Sequence, residues 1–287
     1  MKLFVTCATL SLLFSACAGQ TPTTQPASEP ACSTATTRPA ATTAPSVDPA
    51  TKKILDAMEA AGKTTKTIRA DLTYRLVNTS LGDTEFRTGW VAYQSRTVVK
   101  SPTRTLTRPP MFRVHFETMR LGRGKTTTSP VDYAYDGKNL IVARAKNKVI
   151  NRFQMPPGGK GANMLQLGKG PMPLPFGQKT ADMVKYFVCT NRPTRATDPK
   201  DTVYLSLVPR KEHAKALSTM YIHMWISTKT WLPVKIVTRD KSKNIITSTF
   251  SKTVINGEIK QSLFTIPKPI GWKLIVQPLK QGQNIRP

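Results

Sequence analysis

The stretch from Val131 to Phe153, VDYAYDGKNLIVARAKNKVINRF, constrains the fold more than any other part of the chain. It holds three short runs separated by breaks at Asp136-Gly137 and at Ala145-Lys146-Asn147-Lys148. Asp-Gly between such runs is a hairpin signal, because a primed two-residue turn needs positive φ at both central residues. In the first run Val131, Tyr133 and Tyr135 alternate with Asp132 and Ala134. Successive side chains of a strand point to opposite faces, so one face here is large and apolar. A meander of such strands predicts a curved sheet with an apolar concave side, which suits a container better than a catalyst.

The same alternation recurs along the chain. Ile68, Ala70, Leu72, Tyr74 and Leu76 alternate with Arg69, Asp71, Thr73 and Arg75, the pattern of a half-buried strand. Arg87–Gln94 reads as a second strand, and in Met111–Phe116 the side chains of Phe112, Val114 and Phe116 share a face opposite Arg113 and His115. Further strands are expected at Thr202–Val208, Met220–Ser227, Pro233–Arg239, Asn244–Val254 and Trp272–Gln277. Asp48-Pro49 predicts a helix start, Ile54, Leu55, Met58 and Ala61 fall at helical spacing, and Gly62 suits its end. Between Met155 and Gly177 the chain is rich in Gly and Pro yet carries Met164, Leu165, Leu167, Met172, Leu174 and Phe176. Apolar residues in an irregular segment call for a reason, and a short helix is expected next, at Gln178–Phe187.

Charge and the N-terminus bound the setting. Of 287 residues, 43 are Lys or Arg against 16 Asp or Glu, a net charge of +27. Lys2 and Arg38 cancel Glu29 and Asp48, so all of that excess lies on residues 50–287. Such a field favours anionic partners, and an anionic membrane surface is the expected one; nucleic acid is not expected for an exported chain. Residues 1–19 read as a signal peptide, Met1-Lys2 followed by the apolar run from Leu3 to Phe14. Phe14-Ser15-Ala16-Cys17 resembles a bacterial lipobox, with Cys17 as the lipidated residue, while Ala16-Cys17-Ala18 offers an ordinary cleavage site. Residues 20–49, with 8 Thr, 6 Pro and no aromatic residue, read as a disordered tether, because they cannot bury enough apolar surface to offset ordering entropy. The domain is expected over residues 50–287, exported to the periplasm and tethered to a membrane through Cys17. Cys189 reads as a buried small hydrophobe.

Several landmarks in order carry a resemblance. Gly89-Trp90-Val91-Ala92-Tyr93 precedes Arg108-Pro109-Pro110-Met111-Phe112; then come Tyr135-Asp136-Gly137-Lys138-Asn139-Leu140 and Leu207-Val208-Pro209-Arg210. Leu232-Pro233-Val234, Asp240, Phe264-Thr265-Ile266-Pro267 and Gly271-Trp272 follow. Together these resemble the LolA/LolB-like superfamily of periplasmic lipoprotein carriers. Ser95–Thr107 is longer than the family's usual hairpin. The resemblance implies an α+β fold, a strongly curved antiparallel half-barrel of about 10–11 strands closed by a lid of short helices. It further implies a cavity for the acyl chains of lipids or lipoproteins, in a monomer that needs no cofactor. The expected wall is Leu72, Tyr74, Leu76, Trp90, Phe112, Val114, Phe116, Tyr133 and Tyr135. The expected lid is Met164, Leu165, Leu167, Met172, Leu174 and Phe176. Arg108 matches the Arg that in the family latches the lid.

Catalytic signatures are missing from the sequence. His115, His213 and His223 are spread apart, no Ser elbow or close metal-ligand cluster occurs, and Gly158-Gly159-Lys160-Gly161 lacks phosphate-loop spacing. The expectation is a binding protein rather than an enzyme. An envelope sensor or scaffold that binds a protein or an anionic polymer without transporting lipid is the alternative.

Overall fold

The computed structural model describes residues 47–279, apart from 96, 102–103, 156–166 and 168–175. Cys17, the signal peptide and the tether as far as residue 46 lie outside the described residues.

The fold opens with helix α1, Pro49–Thr64. Asp48 caps it, its carboxylate accepting from the Thr51 N–H at 2.9 Å, and Pro49 takes the first position, where no N–H is needed. The helix runs two residues past Gly62, so this glycine does not end it. A Cβ on Gly62 would lie 3.2 Å from the Gly177 Cα, and close approach of another backbone is the reason for glycine there. Among the described residues fourteen strands follow: β1 Thr67–Asn78, β2 Asp83–Gln94, β3 Thr97–Ser101, β4 Arg104–Arg108, β5 Met111–Leu121, β6 Thr127–Tyr135, β7 Asn139–Arg144, β8 Val149–Gln154, β9 Phe187–Arg192, β10 Thr202–Pro209, β11 Thr219–Ser227, β12 Pro233–Asp240, β13 Ile245–Ile255 and β14 Lys273–Pro278. A short helix α2, Thr180–Tyr186, lies just before β9.

Twelve strands form one open sheet in the order β14-β8-β7-β6-β5-β2-β1-β13-β12-β11-β10-β9, and β3 and β4 pair as a separate hairpin. This exceeds the expected strand number. One pairing also departs from the expected antiparallel pattern: β14 runs parallel to β8, Lys273 opposite Val149 through Pro278 opposite Gln154. The reason is the path of the preceding segment. After β13 the chain crosses the outer face of the sheet, where Phe264 packs on Ala92 and Met111, and Ile266 on Ala134, Ile141, Ala143 and Ile150. That strap explains why Leu140-Ile141-Val142-Ala143 is buried on both faces.

The turn after Tyr135 also differs from expectation. Gly137 has φ +94°, whereas Asp136 is not among the residues with positive φ. The Asp136 carboxylate instead accepts from the backbone N–H groups of Lys138 (2.8 Å) and Asn139 (2.7 Å), so a side-chain turn closes the hairpin.

A sheet this wide is expected to curl. Inner-face residues from both arms, Tyr133, Leu140 and Phe153 on one side and Leu205, Ile222 and Met224 on the other, join α1 in a single buried cluster.

Candidate functional site

Strand register builds the inner face. Ile68 stands opposite Tyr93, Ala70 opposite Val91 and Leu72 opposite Gly89; across the next pairing Tyr93 meets Phe112 and Val91 meets Val114. Phe112 then meets Tyr135, and Val114 meets Tyr133. Eight of the nine residues expected in the wall therefore share this face: Leu72, Tyr74, Leu76, Phe112, Val114, Phe116, Tyr133 and Tyr135. Their rings touch edge-on or tilted, Tyr74 to Phe116 at 5.5 Å, Phe116 to Tyr133 at 6.4 Å and Phe112 to Tyr135 at 6.0 Å. Burial pushes the Tyr93 and Tyr133 hydroxyls up to about 12.

Trp90 is the correction. It lies on the opposite face, stacked on His115 at 5.4 Å, with the Arg69 guanidinium 4.5 Å and the Arg113 guanidinium 5.5 Å from its ring. Trp90 pairs directly with His115 across β2 and β5, so the two must share a face. Trp-Val-Ala-Tyr is apolar at every position, and alternation alone cannot choose between its two sides. Beside the apolar contacts of the strap the outer face also carries polar bonds: Arg113 Nε donates to Asp132 at 2.8 Å, and its Nη1 to the Leu263 carbonyl at 3.1 Å.

Of the residues expected in a lid, two are described. Leu167 and Phe176 are buried against the inner cluster, and the Phe176 ring sits 5.6 Å from Tyr93 and 5.8 Å from Phe250. Met164, Leu165, Met172 and Leu174 lie outside the described residues. Arg108 ends β4, opposite Thr97 of β3; its side chain also lies outside the described residues.

Several residues of the site escaped sequence reasoning. Glu59 of α1 accepts the Thr180 N–H at 2.8 Å and so fastens the start of α2. Its ion pair with Lys63, followed by that backbone bond, holds its carboxyl down to about 2. Arg210 fastens the other end: its Nε donates to the Val184 carbonyl at 2.8 Å, and its N–H to the Tyr186 carbonyl at 3.0 Å. The orphan carbonyls of a helix terminus are natural partners for such a cation. Arg210 closes the Leu207-Val208-Pro209-Arg210 motif, which was the available signal. Arg87, buried on the apolar face, gave no signal beyond its place in the β2 alternation.

Among the described residues no group of three or more His, Cys, Asp or Glu could hold a metal ion, and no helix is long and apolar enough to cross a membrane.

No protein-family model matches the chain, and no curated protein matches its sequence. Solved structures similar to it include the lipoprotein LppX of Mycobacterium tuberculosis, at 13% identity over 74% of this chain and 98% of that one, with a TM-score of 0.42. LprF from Mycobacterium bovis is 16% identical over 78% of this chain and 100% of its own, with a TM-score of 0.38. A putative outer membrane lipoprotein-sorting protein domain from Vibrio parahaemolyticus is 10% identical over 74% of this chain and 95% of its own, at 0.31. Likeness at this level carries no argument, so the functional reading rests on the geometry of the inner face.

Proposed function

We propose that this is an exported lipid- or lipoprotein-binding protein whose curved sheet acts as a half-barrel, holding acyl chains against its inner face. One observation carries the reading: the breadth of the continuous apolar inner face, from Leu140 and Phe153 in one arm to Leu205 and Met224 in the other. Twelve strands at ~4.8 Å spacing span roughly 50 Å. The helices described over that face are one of 16 residues, roughly 24 Å long, and one of 7 residues. An aromatic and aliphatic wall this broad, buried beneath short helices together with Leu167 and Phe176, suits a guest that takes the place of part of that cover. Transfer of an acyl chain to such a wall contributes ~0.8 kcal/mol per buried methylene.

In this reading α2, Leu167 and Phe176 belong to a lid, with Met164, Leu165, Met172 and Leu174 as further members. Arg108 remains a proposed latch alongside Arg210, and Cys17 a proposed lipid anchor. Exposed basic side chains would bring the open face to an anionic leaflet, with the protein acting as a monomer in lipoprotein sorting or envelope lipid transfer.

Native mass spectrometry of the protein taken from its own envelope tests this. Retention of acyl lipid or lipoprotein, lost on delipidation and regained with added oleoyl ligand, is expected. A lipid-free protein that takes up no oleoyl ligand overturns the reading.

One observation favours a second reading, an anionic-polymer binder. On the outer face Tyr204 stacks on Trp225 at 4.9 Å and Tyr221 on His223 at 4.4 Å, with the Lys235 ammonium 4.5 Å from the Trp225 ring. Salt-steep binding of polyanionic glycan, together with failure to take up acyl ligand, would establish it instead.

A further inference from the structure

The inner face changes character along its strands. Near α1 it is wholly apolar, with Ile68, Tyr93, Phe112, Tyr135 and Leu140 in successive strands. Toward the far ends of β1 and β5, Arg87 stands opposite Tyr74 and Met119, and Arg144 opposite Val131. Arg87 is only 8% exposed. Its Nε donates to Glu85, its Nη2 reaches the Met119 sulfur at 3.3 Å, and its guanidinium carbon lies 5.8 Å from the Phe116 ring centre. Its Nη1 is buried with no hydrogen-bond partner among the described residues.

A guanidinium presents five donors in a fixed fork, and a thioether is a weak acceptor. Leaving a charged donor buried without an acceptor is costly. The edge formed by Nη1 and Nη2 is thus unused by any strong acceptor, and it lies beside rings of the apolar wall. Arg144 hydrogen-bonds the Tyr133 hydroxyl nearby, so Glu85 is set against two cations in this region.

Resting on the acyl-binding reading, we propose that Arg87 anchors the anionic head of the bound lipid, a carboxylate or a phosphate monoester. The head accepts a forked pair of hydrogen bonds from Nη1 and Nη2, displacing the Met119 sulfur. The chain then extends over Phe116 and Tyr74 toward Leu72. The same site disfavours neutral lipids, which bury the cation without supplying a strong acceptor.

The test is equilibrium binding by the full chain at pH 8 to oleate, oleoyl lysophosphatidate, oleyl alcohol and inorganic phosphate. Wild type is expected to bind at least one anionic ligand roughly tenfold or more tighter than oleyl alcohol. Arg87→Met should abolish that preference, weakening the anionic ligand roughly tenfold and binding oleyl alcohol at least as tightly as wild type. Glu85→Gln/Arg87→Met should do the same without stranding a carboxylate, which guards against misfolding of the single variant. The tighter of oleate and lysophosphatidate identifies the head. The same anionic preference in wild type and both variants overturns the assignment while acyl binding stands. Arg87-dependent binding of inorganic phosphate, with no preference for oleate or lysophosphatidate over oleyl alcohol, also overturns it, in favour of a free anion. No binding of any oleyl or oleoyl ligand by wild type sinks the acyl-binding reading itself.

Discussion

His115 shows how one outer-face residue ties neighbouring strands of the sheet together. Its Nδ1 lies 2.9 Å from Asp132, which also holds Arg113, and its Nε2 lies 2.9 Å from Glu117. The bond to Asp132 raises the imidazole pKa above its ordinary value despite burial. Burial pushes Asp132 up, but the His115 and Arg113 bonds outweigh it and hold the carboxyl below its usual range. A raised histidine contributes stability that is complete below its unfolded pKa of about 6.5 and is lost as pH rises through the folded value. A depressed aspartate contributes stability that is present above its unfolded pKa and is lost as pH falls. The pair is therefore strongest in mildly acidic solution. Thermal melting should show wild type losing stability from pH 6 to 9 by more than His115→Gln does, and parallel pH profiles would refute the clasp. Gly89 and Trp90, neighbours of this clasp, mark the limit of sequence reading. A Cβ on Gly89 would lie 1.8 Å from the His115 carbonyl, at a bulge in the β2–β5 pairing. Bulges and their register follow from pairing between distant strands and leave no local mark. Trp90 was misplaced because Trp-Val-Ala-Tyr is apolar at every position, whereas Tyr74 and Phe112, each followed by an Arg, could be assigned to a face by alternation alone.

Among the elements, α2 is the least self-sufficient. Seven residues are far too few for a helix to persist by propensity, so its order comes from outside. Glu59 fastens its first turn and Arg210 its last carbonyls, while Tyr186 packs edge-on against His213 at 4.9 Å. Substituting Arg210 by Met removes the charged donor from the Val184 carbonyl, while the backbone bond to the Tyr186 carbonyl and most of the bulk are kept. Such a bond contributes about 1.5–3 kcal/mol, so amide exchange in α2 should quicken by roughly ten- to a hundredfold with the sheet unaffected. Unchanged α2 exchange would remove Arg210 from the role of latch. The Glu59 tether is partly buried and still screened by solvent, and its stability is lost only as pH falls from about 4.5 toward about 2. The helix itself was legible from composition between Gln178 and Phe187, but its tethers were not, because they join residues far apart in sequence.

At the scale of the whole molecule, two surfaces must be reconciled: an apolar face turned inward and a net charge of +27. A strong positive field opposes compaction by self-repulsion, yet the chain has not diluted it with acidic residues. Few of its cations are paired. Among the described residues the Lys and Arg ion pairs are those of Lys52, Lys63, Arg87, Arg113, Lys229 and Lys252, and three of these lysines are more than 70% exposed. Unpaired exposed cations on a sheet that presents an apolar interior suit delivery at an anionic leaflet. There each Lys or Arg near the surface contributes about 1 kcal/mol, falling off within a Debye length of about 10 Å at 0.1 M salt. Co-sedimentation with vesicles containing 30% phosphatidylserine, taken as roughly a physiological anionic fraction, should exceed that with neutral vesicles at least tenfold in low salt. The difference should vanish near 1 M salt, where the Debye length shrinks to about 3 Å. If neutral vesicles capture the protein equally at every salt concentration, docking is driven by the apolar face alone and the charge serves another partner.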